Sequence, residues 1–589
     1  MRFVYHAKIR IIPLKRKKFT IFAEDMEDER FIQVILPLRL EWEPYYLVPE
    51  ELSVAVGDRV RVEFTNKRYV GVVSAVDVMP ADELKPRILY IVGREPEMPP
   101  VDQKEIHFWR DVADYYLCTV GEVYKAALAR DAQAKSARKI PAIEPHDIQL
   151  SSLQEEAAQK AREAFAAHKT VLLHGVTGAG KTEIYLKLAQ EVLQRGRSVL
   201  FLVPEIALSR QLEERVAAVF PEVLVYHSAQ TPARRAQVAT AIRVGEKYLV
   251  LGTRSALFLP HRNLGLIIVD EEHDSSFKQD SPAPRYHARE ASIMLGLTHN
   301  AAVLLGSATP SLESLYNAET GKFVKIDLKE RFHSGKEADL LIIDTVAERR
   351  KNGMAGSFSL KLLACMKESL EAGEQVLLLG PPRASLEARQ IETELAEYFP
   401  EAVIGSDILV GSAYVAKAFE HDALGLVAVL AADNILARQD FRADERTLQV
   451  LEQFRSRCSR FVIQTRQPHH PVFSELASGG DPTGRILAER QQFGLPPYTR
   501  LIHVNLRDKM EKRVSYMAAE LARSLSLPLV GPYAPLAGRL EDSHLRQIRI
   551  MLPRDKNLRA SKHQLLLTVN EFEKAQKYSG HIVLDVDPL

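Results

Sequence analysis

The sequence predicts a multidomain α/β protein with a doubly wound parallel sheet at its centre. Three observations carry this. The length, 589 residues, calls for about three to five domains at roughly 100–200 residues each. From Ile148 to about Leu328, apolar runs of strand length alternate with helical periodicity, the pattern of helices covering both faces of parallel strands. Within that region Gly175–Thr182 reads GVTGAGKT and fits G-x-x-x-x-G-K-[ST], between the run Val171–Leu173 and a helical pattern from Tyr185 to Leu193.

That octapeptide is a phosphate-binding loop. The segment Gly175, Val176, Thr177, Gly178, Ala179 and Gly180 would turn its backbone N–H groups onto phosphate oxygens, and the new helix would aim its positive end at the same anion. Lys181 would reach the β- and γ-phosphates, and the Thr182 hydroxyl would ligate Mg²⁺. A chance glycine-rich turn is the alternative, and the strand-then-helix context argues against it. ATP and Mg²⁺ are therefore the expected cofactors.

Composition sets limits. Apolar content of 46% and charged content of 26% are those of a soluble globular chain. The formal net charge is +1, so a nucleic-acid surface would be a local stripe. Cys118, Cys365 and Cys458 lie far apart, which excludes a disulfide framework or a cysteine-ligated zinc site and points to a reducing cytoplasm. No run approaches the roughly 18 apolar residues of a membrane helix, so no membrane partner is expected.

Residues 1–30 read as an extension, with seven Lys/Arg before Glu24 and an acidic run after it; a solvated tail or a phosphate-touching arm would both fit. From Phe31, short strands (Phe31–Leu38, Tyr45–Val48, Val60–Phe64, Lys67–Val73) with Gly57 and Asp58 at a turn predict a small β domain, followed by a linker at Pro96–Pro100. His107–Ala127 has helical periodicity, its aromatics Phe108, Trp109, Tyr115 and Tyr116 suiting a core rather than the alternative of base-stacking, and residues 106–147 would suit a winged-helix-like module.

In the central region, Gln154 lies where a glutamine could bond an adenine edge, the alternative being an exposed helix glutamine. Strand Leu264–Val269 is fully apolar, as a buried parallel strand should be, and ends in Asp270-Glu271-Glu272-His273. An acid at the C-terminal edge of such a strand sits beside the phosphate loop. Asp270 would hold Mg²⁺ and Glu271 would orient and polarise the attacking water. Strand Ala302–Leu305 runs into Gly306-Ser307-Ala308-Thr309-Pro310, whose hydroxyls could sense the γ-phosphate.

These segments, with Leu202–Leu208 (LVPEIAL), His227-Ser228, Gly252–Phe258 (GTRSALF), Ile267–Gln279 (IIVDEEHDSSFKQ), Arg285–Glu290 (RYHARE) and Leu305–Ser314 (LGSATPSLES), resemble the superfamily-2 helicase core, and specifically the PriA family of bacterial replication restart. The likeness continues in Asp440–Thr447 (DFRADERT), Gln492–Tyr498 (QFGLPPY), Gly531–Pro535 (GPYAP) and Asp585–Pro588 (DVDP). The resemblance implies a DNA 3′-end-binding domain at 31–105, the winged-helix-like module, RecA-like lobes at 148–330 and 331–475, and an α+β C-terminal domain at 476–589. It further implies an ATP-dependent 3′→5′ DNA helicase on stalled forks, with single-stranded and forked DNA, primosome proteins and single-stranded-DNA-binding protein as partners. Arg254 falls in a DNA-facing motif. Phe277, Lys278, Arg285 and Tyr286 fall in the family's aromatic-rich loop, where loop anchoring is the alternative for the two rings.

The second half departs from the family. The paired cysteines that bind zinc there have no counterpart between Val376 and Asp407, so no zinc is expected. Gly411–Asp422 keeps Lys417, expected to contact DNA, but not the Gln and Gly-His-Asp that surround it in the family. In Gln453–Arg460 (QFRSRCSR), Arg457 and Arg460 hold the places of two catalytic arginines, while Ser456 and Ser459 replace glycines that could take φ > 0. An arginine closing on the γ-phosphate contributes on the order of 10³–10⁵ in rate. The alternatives to a helicase are a fork-binding loader or scaffold with weak or no unwinding, and a small-molecule P-loop kinase, in which Gly252–Phe258 and Leu305–Ser314 would have no role.

Overall fold

The computed structural model describes residues 29–589 except 129–147, 177, 206–207, 209, 329–337, 382–384, 413–423, 438–439, 481, 536–538, 541 and 579–580. It divides into two compact units, residues 29–35 with 42–96, and residues 36–41 with 97–589.

The first unit is the small β domain. Its strands β1 (Phe31–Ile35), β2 (Tyr45–Leu47), β3 (Arg59–Phe64), β4 (Lys67–Ala75), β5 (Leu89–Tyr90) and β6 (Gly93–Arg94) form one sheet ordered β5-β2-β1-β4-β3-β6. Val34, Val60, Val62, Val72 and Val73 are fully buried in it; Val60 and Val62 share one face of β3, as the period of a strand requires, while β4 is covered on both faces at Val72 and Val73.

The second unit opens with α1 (Gln103–Tyr116) and α2 (Val120–Leu128). The helical periodicity of His107–Ala127 is carried by these two helices, divided at Leu117, which takes a left-handed conformation (φ 53°) at the C-terminus of α1. Of the module expected at 106–147, only these two helices fall among the described residues.

The first lobe begins with α3 (Ser152–Ala166) and places β7 (Thr170–Gly175), β8 (Ser198–Leu202), β9 (Leu224–Tyr226), β10 (Leu249–Gly252), β11 (Leu264–Asp270), β12 (Ala302–Ser307) and β13 (Phe323–Leu328) in a parallel sheet ordered β13-β7-β12-β11-β8-β10-β9. Helices α4 (Lys181–Gln194), α5 (Arg210–Val219), α6 (Pro232–Val244), α7 (Ala288–His299) and α8 (Leu312–Glu319) connect the strands. Leu266, Ile267, Ile268 and Val269 of β11 are all fully buried, because both faces of a parallel sheet are covered.

The second lobe repeats the scheme on five parallel strands ordered β14-β20-β19-β17-β18: β14 (Asp339–Asp344), β17 (Val376–Leu379), β18 (Ile408–Gly411), β19 (Leu424–Val429) and β20 (Cys458–Thr465), with β15 (Met354–Ala355) and β16 (Phe358–Ser359) as a separate small pair. Alternate residues of β17 serve the two faces, Val376 and Leu378 packing with α10 (Leu360–Glu371) and α11 (Leu386–Tyr398) after the short α9 (Thr345–Arg350). Leu377 and Leu379 pack on the other side with α13 (Ala443–Arg455), which follows the single-turn α12 (Asp433–Leu436), and with α14 (Pro471–Ser478) and α15 (Thr483–Gln492). The C-terminal domain is an antiparallel sheet ordered β22-β24-β21-β25, from β21 (Thr499–Asp508), β22 (Leu529–Tyr533), β24 (Ser543–Pro553) and β25 (Ile582–Val586), with β23 (Arg539–Leu540) beside β24 and helices α16 (Glu511–Ser524) and α17 (Leu558–Gln576). Among the described residues no helix is long and apolar enough to cross a membrane.

Candidate active site

The phosphate loop leaves β7 at Gly175 and enters α4 at Lys181. Gly178 and Gly180 take φ of +80° and +77°, the left-handed region that glycine enters without strain. A Cβ at Gly178 would stand in open space, whereas one at Gly180 would overlap the Gln154 carboxamide. No side chain caps α4, so its first N–H groups face the loop's concavity and suit an anion. Lys181 is buried and donates from Nζ to the Gly175 carbonyl at 2.7 Å. Val176 and Ala179 pack against the lobe's core; Thr177 lies outside the described residues.

Gln154 has other partners than the expected adenine. It is 4% exposed, its Oε1 accepts from the Ser151 N–H at 2.9 Å, and its Nε2 donates to the Gly180 carbonyl at 3.2 Å. The residue braces the phosphate loop against the cap of α3, and the exposed-glutamine alternative does not hold.

Across the sheet, Asp270 pairs in register with Gly306, and Gly306 with Leu173 of β7, so the acid at the end of β11 and the phosphate loop open at the same edge. Burial pushes the Asp270 carboxyl up to about 6 and the Glu271 charge adds to this, while Lys181 and the Tyr185 hydrogen bond oppose it. The Tyr185 hydroxyl donates to Asp270 Oδ1 at 3.0 Å. Glu271 sits at φ 49°, a strained conformation for a residue with a Cβ and one that collects at functional sites. His273 Nδ1 lies 2.8 Å from Ser307 Oγ and its Nε2 3.4 Å from Thr309 Oγ1, linking the acidic turn to the Ser-Ala-Thr loop. Thr182 and Asp270 offer the hard oxygen donors that Mg²⁺ prefers, beside a cradle and a lysine for its phosphates, so the residues present fit ATP·Mg²⁺.

The second lobe meets this edge through α13. Gln449 Nε2 donates to the Thr309 carbonyl at 3.3 Å, and the Leu312 N–H donates to Glu445 at 2.8 Å. Gln453 follows one turn on, and Arg457 lies just past the end of α13 with its guanidinium over the Phe454 ring at 6.0 Å from the centroid. Arg460 is placed differently. It sits on β20 and pairs with Glu368 of α10 at 2.7 Å, on the helix layer opposite α13. The strand's alternation turns it there, so the structure does not bring both arginines to one site.

Three family models match in chain order: a 3′ DNA-binding domain of PriA at residues 33–129, the res subunit of type III restriction enzymes at 147–312, and the primosomal protein N C-terminal domain at 491–589. The replication restart protein PriA of Treponema pallidum is 30% identical, over 85% of this chain and 90% of its own length. The chain belongs to the PriA family. The PriA proteins of Haemophilus influenzae (31% identical, 71% of this chain and 69% of that one) and Rickettsia felis (27%, 95% and 99%) agree. Membership places the chain in the helicase class of replication restart proteins.

In this PriA-family chain the aromatic-rich loop is folded inward. Phe277 is 1% and Tyr286 0% exposed, so both rings anchor the loop, the alternative weighed for them. Lys278 is buried too, and its Nζ donates to the Arg285 carbonyl, Asp585 Oδ1 and the Val586 carbonyl, each at 2.7 Å. A side chain so engaged presents nothing to solvent. Arg254 is half-buried and donates to the Ser276 and Lys278 carbonyls at 2.6 Å, shaping the loop from below. Arg285 is partly exposed, and Lys417 lies outside the described residues. Three residues of the site were given no role of their own in the sequence. Tyr185 lies at i+4 from Lys181 on one face of α4, a spacing that could have flagged it. Gly306 makes room for its hydroxyl, and Glu272 is fully buried in the acidic turn; no pattern marks either.

Proposed function

We propose that this chain is an ATP-driven DNA helicase that moves 3′→5′ on the branched DNA of stalled forks and, in the cytoplasm, recruits primosome proteins and single-stranded-DNA-binding protein to restart replication. One observation carries it: the phosphate loop, Asp270–Glu271 and the Ser307–Thr309 loop meet at one edge of the first lobe's sheet, and that edge is bonded to α13 of the second lobe. Such a junction turns chemistry between lobes into relative motion, which neither a small-molecule kinase nor a passive phosphate site requires.

When bound, ATP·Mg²⁺ supplies the phosphoanhydride and the charge neutralisation at its oxygens. Thr182 and Asp270 would hold the metal, and Gly175–Gly180 with the start of α4 would bind the phosphates. Lys181 would leave the Gly175 carbonyl for them. Glu271 would orient and polarise the attacking water. Arg457 would meet developing negative charge from the second lobe, which makes cleavage depend on closure. No zinc is assigned a role. The DNA strand would be held through its backbone, so binding should weaken steeply with salt.

The test is ATP hydrolysis and strand separation on forked DNA, with Lys181→Ala as control. DNA-stimulated hydrolysis with unwinding supports the proposal, and Lys181→Ala should abolish turnover while leaving fork binding intact. Stimulated hydrolysis without unwinding would replace it with the loader reading, to which the altered segment Gly411–Asp422 lends weight. Hydrolysis indifferent to DNA would overturn both.

A further inference from the structure

Glu272 is the acid of the Asp270–Glu272 turn for which the cleavage chemistry has no use, yet it is 0% exposed. Burying a carboxylate is costly unless its lone pairs are met, and here they are. Oε1 accepts from the Ser311 N–H at 2.7 Å. Oε2 accepts from Arg289 Nη1 at 2.9 Å, Ser311 Oγ at 3.1 Å and Ser314 Oγ at 3.0 Å. The Glu272 N–H donates to the Gly306 carbonyl at 3.0 Å. One side chain thus fastens the turn carrying Asp270 and Glu271 to the N-terminus of α8, whose cap is Ser311.

Helix α8 stands between β12 and β13 of the first lobe in sequence, but its apolar residues Leu312 and Leu315 pack with the second. Leu312 lies in the cluster of Leu377, Leu379, Leu448 and Leu451, and Leu315 packs against it. The Leu312 N–H donates to Glu445 at 2.8 Å, and Glu313 pairs with Arg442 at 3.0 Å. A displacement of α8 therefore carries α13, and with it the segment bearing Arg457.

We propose that Glu272 is a positioning residue that couples the acidic turn, through Ser311 and α8, to Glu445 and α13, and so sets where the second lobe stands during ATP cleavage. This rests on the ATP-driven reading above.

The test is Glu272→Gln in the full chain, which keeps shape but removes the charge facing Arg289 and puts an NH2 donor where one of the two accepting oxygens stood. Melting, affinity for a non-hydrolysed ATP analogue, fork affinity, steady-state ATPase with saturating fork, and analogue-induced compaction by small-angle scattering are all read. We expect kcat to fall at least roughly tenfold while KM and both affinities stay within about threefold, and compaction to be lost. A folded Glu272→Gln with unchanged kcat and compaction, or with its loss confined to KM, overturns the proposal; a lowered melting temperature alone does the same, since that is all a structural role predicts. Combining it with Glu445→Gln adds a coupling readout: the double variant should be no slower than the slower single, and multiplying effects would mean no relay. If Glu272→Gln does not fold, Ser314→Ala, which spares the Ser311 cap, should slow kcat roughly threefold, and no change overturns the proposal. A wild-type chain without ATPase would sink the functional reading, while the compaction comparison would still decide this one.

Discussion

Gly306→Ala is the smallest change that should disable the acid site. A Cβ at 306 would overlap the Tyr185 hydroxyl, stand 2.7 Å from Tyr185 Cζ and lie 3.3 Å from Asp270 Oδ1. Tyr185 cannot swing away freely, because it is fully buried with its ring edge-on to Phe201 at 5.7 Å. Overpacking of this kind costs about 1–3 kcal/mol, and loss of the hydroxyl's bond to Asp270 about 1 kcal/mol more. The sum, about 2–4 kcal/mol, is a sizeable part of the roughly 5–15 kcal/mol that holds a domain together. Because Asp270 moves with its partner, turnover should drop on the order of 10–100-fold, as small misplacements of catalytic groups do. Denaturant midpoints and DNA-stimulated ATPase should be read on Gly306→Ala, Tyr185→Phe and the pair. The pair should recover part of the loss, since phenylalanine removes the overlapping oxygen, but not all, since the ring carbon behind it remains too close. A Gly306→Ala chain as stable and active as wild type, or effects that simply add, would refute the reasoning.

Arg457→Ala should cut kcat at least about 10²-fold, whereas Arg460→Ala should cost under about threefold, because its pair with Glu368 is a surface ion pair; equal losses in ATPase assays would undo the distinction. Lys278→Met should destabilise by about 1–3 kcal/mol by taking the close cation from the half-buried Asp585, and Lys278→Met with Asp585→Asn should recover part of this in denaturant melts. Burial, with Arg500 and Arg559 adding and Asp114 and Asp587 opposing, pushes the Lys562 amine down from 10.5 to about 8. The unfolded chain then binds more protons between these values, so stability should rise with pH from about 8 to 10.5 by at most about 3 kcal/mol, and Lys562→Met should flatten that part of the profile.

What could be read in the sequence was what periodicity and phosphate chemistry constrain. The strands β8, β11, β12 and β17 stand within a residue or two of their apolar runs, because a strand covered on both faces must be apolar throughout. The phosphate loop is legible since only that order of glycines, lysine and hydroxyl serves its purpose. The bonds from Gln154 to Gly180 and from Lys278 to Asp585 were not legible, because these partners lie 26 and 307 residues away. A buried lysine and a DNA-facing lysine are the same letter. Glu272 was hidden for a related reason: beside two acids with evident chemistry, its neighbours across the turn, Ser311 and Ser314, read as an ordinary helix start.

The replacement of two glycines near Arg457 bears on whether cleavage survives in this member of the family. If those positions needed φ > 0, serine would cost roughly 1–3 kcal/mol at each and could pull the arginine from its place. Neither does. Ser456 has φ −70° at the end of α13, its hydroxyl donating to the Gln453 carbonyl at 2.9 Å. Ser459 is the second residue of β20 and has no positive φ. The Arg457 N–H donates to the Phe454 carbonyl at 3.0 Å and its carbonyl accepts from the Leu424 N–H at 3.1 Å, so the backbone at the arginine is held from both sides. Glycine at these positions would add freedom, not reach. Restoring it with Ser456→Gly should therefore lower stability by a few tenths to about 1 kcal/mol and leave kcat within about twofold, whereas a large gain in ATPase would mean that serine had been holding Arg457 away.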